Sequence, residues 1–175
     1  SAFGFSTNES ILPSRNNIRK LFDIPQYRRL LDGHLEDIIS TSFNTTYSTQ
    51  WANHLGSVSG NSFASYNSYV NDRGNYAIGT LPSNTPFAIT TNGGNDFSET
   101  DSGIDLVGDG WIDVFSITVN DIAHDITGLD GNTWQLTIPI SIGANPLTLK
   151  AYNNQGLEVG TDSITVSNTS SIDLA

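Results

Sequence analysis

Six carboxylates fall within DFSETDSGIDLVGDGWIDV, residues 96–114: Asp96, Glu99, Asp101, Asp105, Asp109 and Asp113, with no Lys or Arg among them. Carboxylates at this density suit a hard cation, calcium above all, which accepts about six to eight oxygens in irregular geometry. No register of the stretch meets the EF-hand pattern of alternating early acids, a central Gly and a closing Glu. A looser calcium site built from neighbouring turns would use Asp101, Asp105 and Asp109. Against it, Ile104 and Leu106 of GIDLV alternate as inward positions, so Asp105 is expected to face solvent as an ordinary strand residue. GDG, residues 108–110, is expected to be a hairpin turn first and a metal loop second.

Other reactive groups are sparse. His34, His54 and His124 are scattered without HExxH or His-x-His spacing, which argues against a metal role for them. GSVSG at 56–60 has Val58 where a nucleophile elbow carries serine, and it lies between helices, so the esterase reading fails. No Gly-rich phosphate loop is present. No cofactor is expected, calcium being the one candidate, and the chain is expected not to be an enzyme. Trp111, Phe115 and Tyr152 are the aromatic residues that could stack on a sugar, although strand aromatics more often serve the core.

The elements that must hold these residues change type partway along the chain. With 175 residues and 37% apolar content, the chain is long enough for one large or two small domains. Cysteine is absent, which excludes disulfides, thiolate metal sites and cysteine nucleophiles. Methionine is absent too, so a processed or excised chain is expected. No run approaches the roughly 20 apolar residues of a membrane span, and SAFGFS is too short and polar for a signal peptide. In residues 1–82 the bases Arg15, Arg19, Lys20, Arg28, Arg29 and Arg73 cancel the acids Glu9, Asp23, Asp32, Glu36, Asp37 and Asp72. Residues 83–175 have Lys150 as their only base and so carry the whole net charge of -11. A field of that sign repels phosphate backbones and anionic lipid, so nucleic acid and membrane insertion are not expected.

The period of the apolar residues changes at the same place. Ser14 is expected to cap a short helix bearing Ile18, Leu21 and Phe22. Asp23 and Pro25 open PQYRRLLDGHLEDIISTSF, where Tyr27, Leu30, Leu31, Leu35, Ile38, Ile39 and Phe43 recur at helical spacing. Gly33 weakens that helix by about 1 kcal/mol relative to alanine. A third helix carries Tyr47, Trp51 and Leu55 and should stop at Gly56. A fourth, capped by Ser62, presents Phe63, Tyr66, Tyr69 and Val70 and should stop near Gly74. After NYAIGTLPSNTP the spacing becomes two: FAITT, GIDLV, DVFSITVN, TWQLTIPI, NPLTLKAY and DSITV, with a further strand around Ile122 and Ile126, are separated by turn signals. The expected fold is α+β by chain. A small helical unit, 1–82, precedes an all-β immunoglobulin-like antiparallel sandwich, 83–170, and a tail, 171–175, with Trp134 or Trp111 filling the core in place of a disulfide.

The second half resembles bacterial Ig-like modules of the glucodextranase-B type, on IDLVGDG, ITVND, NTWQLTIPI, ISIGANPLTLKAYNNQG and DSITV in that order. Asp121 stands where the pattern has Gly, and Asn153 where it has Asp; the latter removes one acid from a turn sometimes quoted as calcium-binding. YRRLLDGHLEDIISTSF and SYVNDRGNYAIGTLP resemble the C-terminal helical region of CotH-like kinases, exported or spore-coat proteins in which such a module often follows. The resemblance covers nearly the whole chain but none of the kinase chemistry, whose lysine and metal-binding aspartates would lie upstream. It implies a non-catalytic, secreted or extracytoplasmic structural module, whose partner is the remainder of a parent polypeptide. The alternatives are a carbohydrate-binding module of a secreted enzyme, with polysaccharide as partner, and a processed protein subunit of a larger extracytoplasmic assembly.

Overall fold

The computed structural model describes residues 17–128 and 131–170. Ser14 and the tail 171–175 lie outside the described residues. Among the described residues, four helices come first: α1 (Asn17–Phe22), α2 (Pro25–Thr41), α3 (Thr45–Ser59) and α4 (Ala64–Ile78). Nine strands follow: β1 (Ala88–Ile89), β2 (Phe97–Glu99), β3 (Gly103–Asp109), β4 (Ser116–Val119), β5 (Ile122–His124), β6 (Thr127–Gly128), β7 (Thr133–Pro139), β8 (Gly143–Tyr152) and β9 (Glu158–Asn168). None of the described helices is long and apolar enough to cross a membrane.

Pro25 opens α2 at a position whose N–H has no intrahelical acceptor, with extended Ile24 rather than Asp23 as the flanking residue. The Asn44 side chain caps α3 by accepting from the Tyr47 N–H at 3.0 Å. That helix runs past Gly56 and ends at Gly60, whose φ of 71° only glycine adopts readily. α4 likewise runs through Gly74, which is buried, with room for a Cβ at 3.7 Å from Ile39 and from the Phe43 carbonyl oxygen. Both glycines expected as stops are interior residues. Ser48 Oγ donates to Asn67 Oδ1 at 2.8 Å, and Asn67 Nδ2 donates to Thr49 Oγ1 at 3.0 Å, which joins α3 to α4 by a polar rung.

The strands form two sheets, in the orders β1-β3-β7-β6 and β2-β9-β8-β4-β5. This is the expected Ig-like sandwich. One pairing departs from the antiparallel expectation: β2 runs parallel to β9, with Phe97 beside Val166. The core lies wholly between the sheets, with Leu106, Ile117, Trp134, Leu136, Leu149, Ala151 and Val166 at 0 or 1% exposure. Trp134 is its centrepiece, stacking on Phe87 at 5.2 Å while its Nε1 donates to the Asp109 carbonyl at 2.7 Å. The GDG segment is not a turn. Gly108 and Asp109 are the last residues of β3, and Gly108 is glycine because a Cβ would run into the Trp134 ring and the Ala88 carbonyl. Asn120 and Asp121 form the β4–β5 hairpin at φ 49° and 66°, the conformation of a two-residue primed turn. There Asp121 accepts from Lys150 Nζ at 2.7 Å.

Candidate functional site

The most constrained polar arrangement lies where α2 meets the sandwich. A helix that merely covered a sheet would bury an apolar stripe. α2 instead buries Arg29, Asp32 and Gly33, and its residues 29, 33, 36 and 37 recur at the three- and four-residue steps that share one face. Arg29 is 7% exposed and reaches the end of the sandwich. Its Nη1 donates to the Thr133 carbonyl at 3.0 Å and the Gly110 carbonyl at 3.4 Å. Its Nη2 donates to the Trp111 carbonyl at 2.8 Å and the Gly110 carbonyl at 3.3 Å. The planar fork of a guanidinium can engage several acceptors from one position, which an ammonium cannot match.

One turn further on, Gly33 lets the helix approach the backbone: an added Cβ would sit 2.7 Å from the Ile112 carbonyl oxygen. His34 packs edge-on against Phe115 with centroids 5.3 Å apart. Two turns on, Asp37 accepts from Asn154 Nδ2 at 3.0 Å and from Gln155 Nε2, both in the β8–β9 turn. Trp111 Nε1 donates to the Pro82 carbonyl at 2.8 Å, tying the segment after α4 to the same end. Asp32 is 1% exposed and accepts from Arg28 Nε at 2.8 and 2.9 Å.

Two carboxyls at this seam are uncomfortable. Burial raises the pKa of Glu36, with the negative charges of Asp113 and Asp37 adding to the effect. Burial also raises Asp113, partly offset by its own backbone hydrogen bond and by Arg29. The space left between α2 and the sandwich is about 140 Å³, lined by Gln26, Arg29, Leu30, Ile112, Val114 and Phe115 among others.

The residues singled out in the sequence fare differently. Asp105 is exposed on β3 and its Oδ1 accepts from Thr137 Oγ1 at 2.6 Å. Asp109 lies four residues further along the strand, roughly 13 Å away at about 3.3 Å per residue, and Asp101 lies beyond the opposite end. The three therefore do not gather around one point; Asp101 and Asp105 share a cleft with Glu99, and Asp109 does not. Among the described residues no group of three or more His, Asp or Glu is placed to hold a metal ion. Trp111 and Phe115 are half-buried against Pro82 and α2, and Tyr152 ends β8 with its carbonyl accepting from the Phe115 N–H at 2.8 Å. They form no exposed row.

Arg29, Gly33 and Asp37, the residues that make the seam, are absent from the sequence-based candidates. The available signal was a glycine and a charged residue on one face of an otherwise apolar helical repeat.

Among the described residues, the chain is therefore a segment of four helices, of which α2 packs against one end of an immunoglobulin-like β-sandwich. No family model matches the chain, and no curated protein matches it significantly. Among solved structures it is similar to the fibronectin(III)-like modules of Clostridium thermocellum CbhA, at 8% identity and TM-score 0.37 over 49% of this chain and 99% of that one. It is also similar to SGBP-B of the Bacteroides ovatus mixed-linkage glucan utilization locus, solved with a mixed-linkage heptasaccharide, at 18% identity and TM-score 0.31. That second alignment spans 45% of this chain and 22% of the other. At these scores the likeness assigns no role to any residue here.

Proposed function

We propose that this chain is a non-catalytic structural and interaction module of a secreted bacterial protein, whose helices pack against a neighbouring part of the parent polypeptide. The observation that carries the reading is where the apolar surface remains. The described core belongs to the sandwich, and Ala77 is the single hydrophobic residue of the described helices among the buried ones. By contrast Trp51 is 52% exposed, and Tyr47, Leu55, Val58 and Tyr66 are exposed beside it. With Phe43, Phe63 and Val70, the side chains of Tyr47, Trp51, Leu55 and Tyr66 line a groove of about 500 Å³ between α3 and α4. Apolar surface concentrated in this way marks an interface rather than a solvated face.

On this reading the groove is the seat of a kinase-like region of a CotH-like parent, and the Arg29 seam fixes the sandwich rigidly to that assembly. The resemblance of YRRLLDGHLEDIISTSF supports the assignment of the parent. A polysaccharide partner is disfavoured because Trp111 and Phe115 face the seam.

The test places a photo-crosslinking residue at Trp51 or, as control, at exposed Ser163 of β9, in the full parent polypeptide. The expected result is an adduct within the parent at position 51 and none at 163. An adduct to a separate polypeptide would make the module a processed subunit. Equal or absent labelling at both positions would refute a docking role for the groove.

A further inference from the structure

β3 is paired along its whole length on one side and only near its end on the other. β7 faces it from Gly103↔Pro139 to Asp109↔Thr133. On the opposite side β1 pairs with Gly108 and Asp109 alone. At Val107 the segment after β1 still serves: the Val107 N–H donates to Thr91 Oγ1 at 2.7 Å, and its carbonyl accepts from the Thr90 N–H at 2.9 Å. Main-chain groups in an antiparallel ladder point to alternate sides at successive residues. The N–H and carbonyl groups of Asp105 and Gly103 therefore face the same side as those of Val107. No strand among the described residues lies there. Two donors and two acceptors are thus presented at the two-residue spacing that an added strand uses.

This edge opens into a cleft of about 440 Å³, lined by Thr91, Phe97, Glu99, Asp101, Gly103 and Asp105 among others. Phe97 packs on the core and supplies an apolar floor. Glu99, Asp101 and Asp105 are exposed, and no Lys or Arg among the described residues forms an ion pair with them. A second copy of this chain is a poor occupant, since it would bring the same acids edge to edge on a molecule of net charge -11. The charge selects the opposite kind of segment.

We propose that the outer edge of β3, at Gly103 and Asp105, binds an extended peptide segment bearing lysine or arginine at alternate positions, as an added strand. Backbone pairing supplies the register, and Glu99, Asp101 and Asp105 select for basic side chains. The site lies at the end of the sandwich away from the Arg29 seam, so it stands independently of the proposed docking of the helices.

The experiment titrates the chain with an acetylated, amidated peptide of alternating lysine and threonine, and with one of alternating glutamate and threonine, following amide signals and hydrogen exchange. The expected result is saturable binding of the lysine peptide alone, weakening as ionic strength rises, with exchange slowed at the Gly103 and Asp105 amides. Asp105→Pro removes one edge donor without touching the β3–β7 ladder and should abolish that binding. Asp105→Asn should weaken binding by about two- to fivefold while the slowed exchange persists. Binding by Asp105→Pro equal to the parent chain, or binding with no slowing at Gly103 and Asp105, would reduce the effect to diffuse charge attraction and overturn the proposal. Absence of saturation at millimolar peptide would overturn it too. Should Asp105→Pro fail to fold, the exchange data on the unmodified chain still decide the question.

Discussion

Arg29 ties α2 to the sandwich with one buried guanidinium that serves the carbonyls of Gly110, Trp111 and Thr133 together. Arg29→Met keeps much of the side-chain volume and removes the donor that the Gly110 and Thr133 carbonyls share, while the Trp111 carbonyl keeps the Val114 N–H at 3.1 Å. The expected loss is about 2–4 kcal/mol in urea unfolding, with Arg29→Lys recovering little of it. Gly33 gives a prediction of unusual sign. Helix propensity alone makes Gly33→Ala stabilising by about 1 kcal/mol. Since the new Cβ would meet the Ile112 carbonyl at 2.7 Å, the substitution should instead lower the melting temperature and loosen α2 from the sandwich. A rise in melting temperature would show that α2 does not make this close approach in solution. The same residue shows where the sequence falls short: its cost to the helix is visible from propensity, whereas the backbone that requires it lies 79 residues downstream, at Ile112.

At the scale of elements, the seam should respond to pH. Glu36 and Asp113 are both raised above their ordinary values in the folded chain, chiefly by burial, so the folded form binds protons more tightly than the unfolded one. Their effect on stability is most favourable below the ordinary carboxylate range and diminishes as pH rises through the raised values. Glu36→Gln and Asp113→Asn should therefore stabilise the chain at neutral pH and have little effect in acid, as melting curves across that range would show. An equal effect at both ends would remove the carboxyls as the cause. The strand elements were largely legible, because six of them alternate apolar and polar residues at a step of two that a half-buried sheet requires. β2 was not, since three residues with a single apolar side chain, Phe97, give no period to detect. The alternation in DVFSITVN predicts one strand, but only Ser116–Val119 is strand; Asp113 and Phe115 belong to the turn that receives α2. Gly56 and Gly74 signal helix ends in the sequence, yet α3 runs on to Ser59 and α4 to Ile78. Gly74 is instead a buried residue inside α4, beside Ile39 and Phe43, which helix spacing alone does not reveal.

For the whole molecule, the uneven distribution of core predicts uneven stability. β8 and β9 are joined by a ladder running from Gly143↔Asn168 to Tyr152↔Glu158, over a core that excludes water. α3 and α4 meet through a polar rung and an open apolar groove. Amides of α3 should therefore exchange with solvent far faster than those of β8 and β9, and Trp51→Lys should leave the melting temperature nearly unchanged. Strong protection of α3 in the isolated chain would contradict the view that the helices await a neighbour.

The placement of β1 and β9 also sets how the sandwich would bear load. The chain enters through β1, beside Asp109, and leaves from Asn168, whose Nδ2 donates to the Asp101 carbonyl at the other end of β3. A pull between these points runs along the strands, so the bonds joining β9 to β8 and to β2 are strained in shear and resist together instead of opening one at a time. With a helical segment packed at the entry end, the two connections of the sandwich therefore lie at opposite ends of its strands, the arrangement in which a pull loads the ladder in shear.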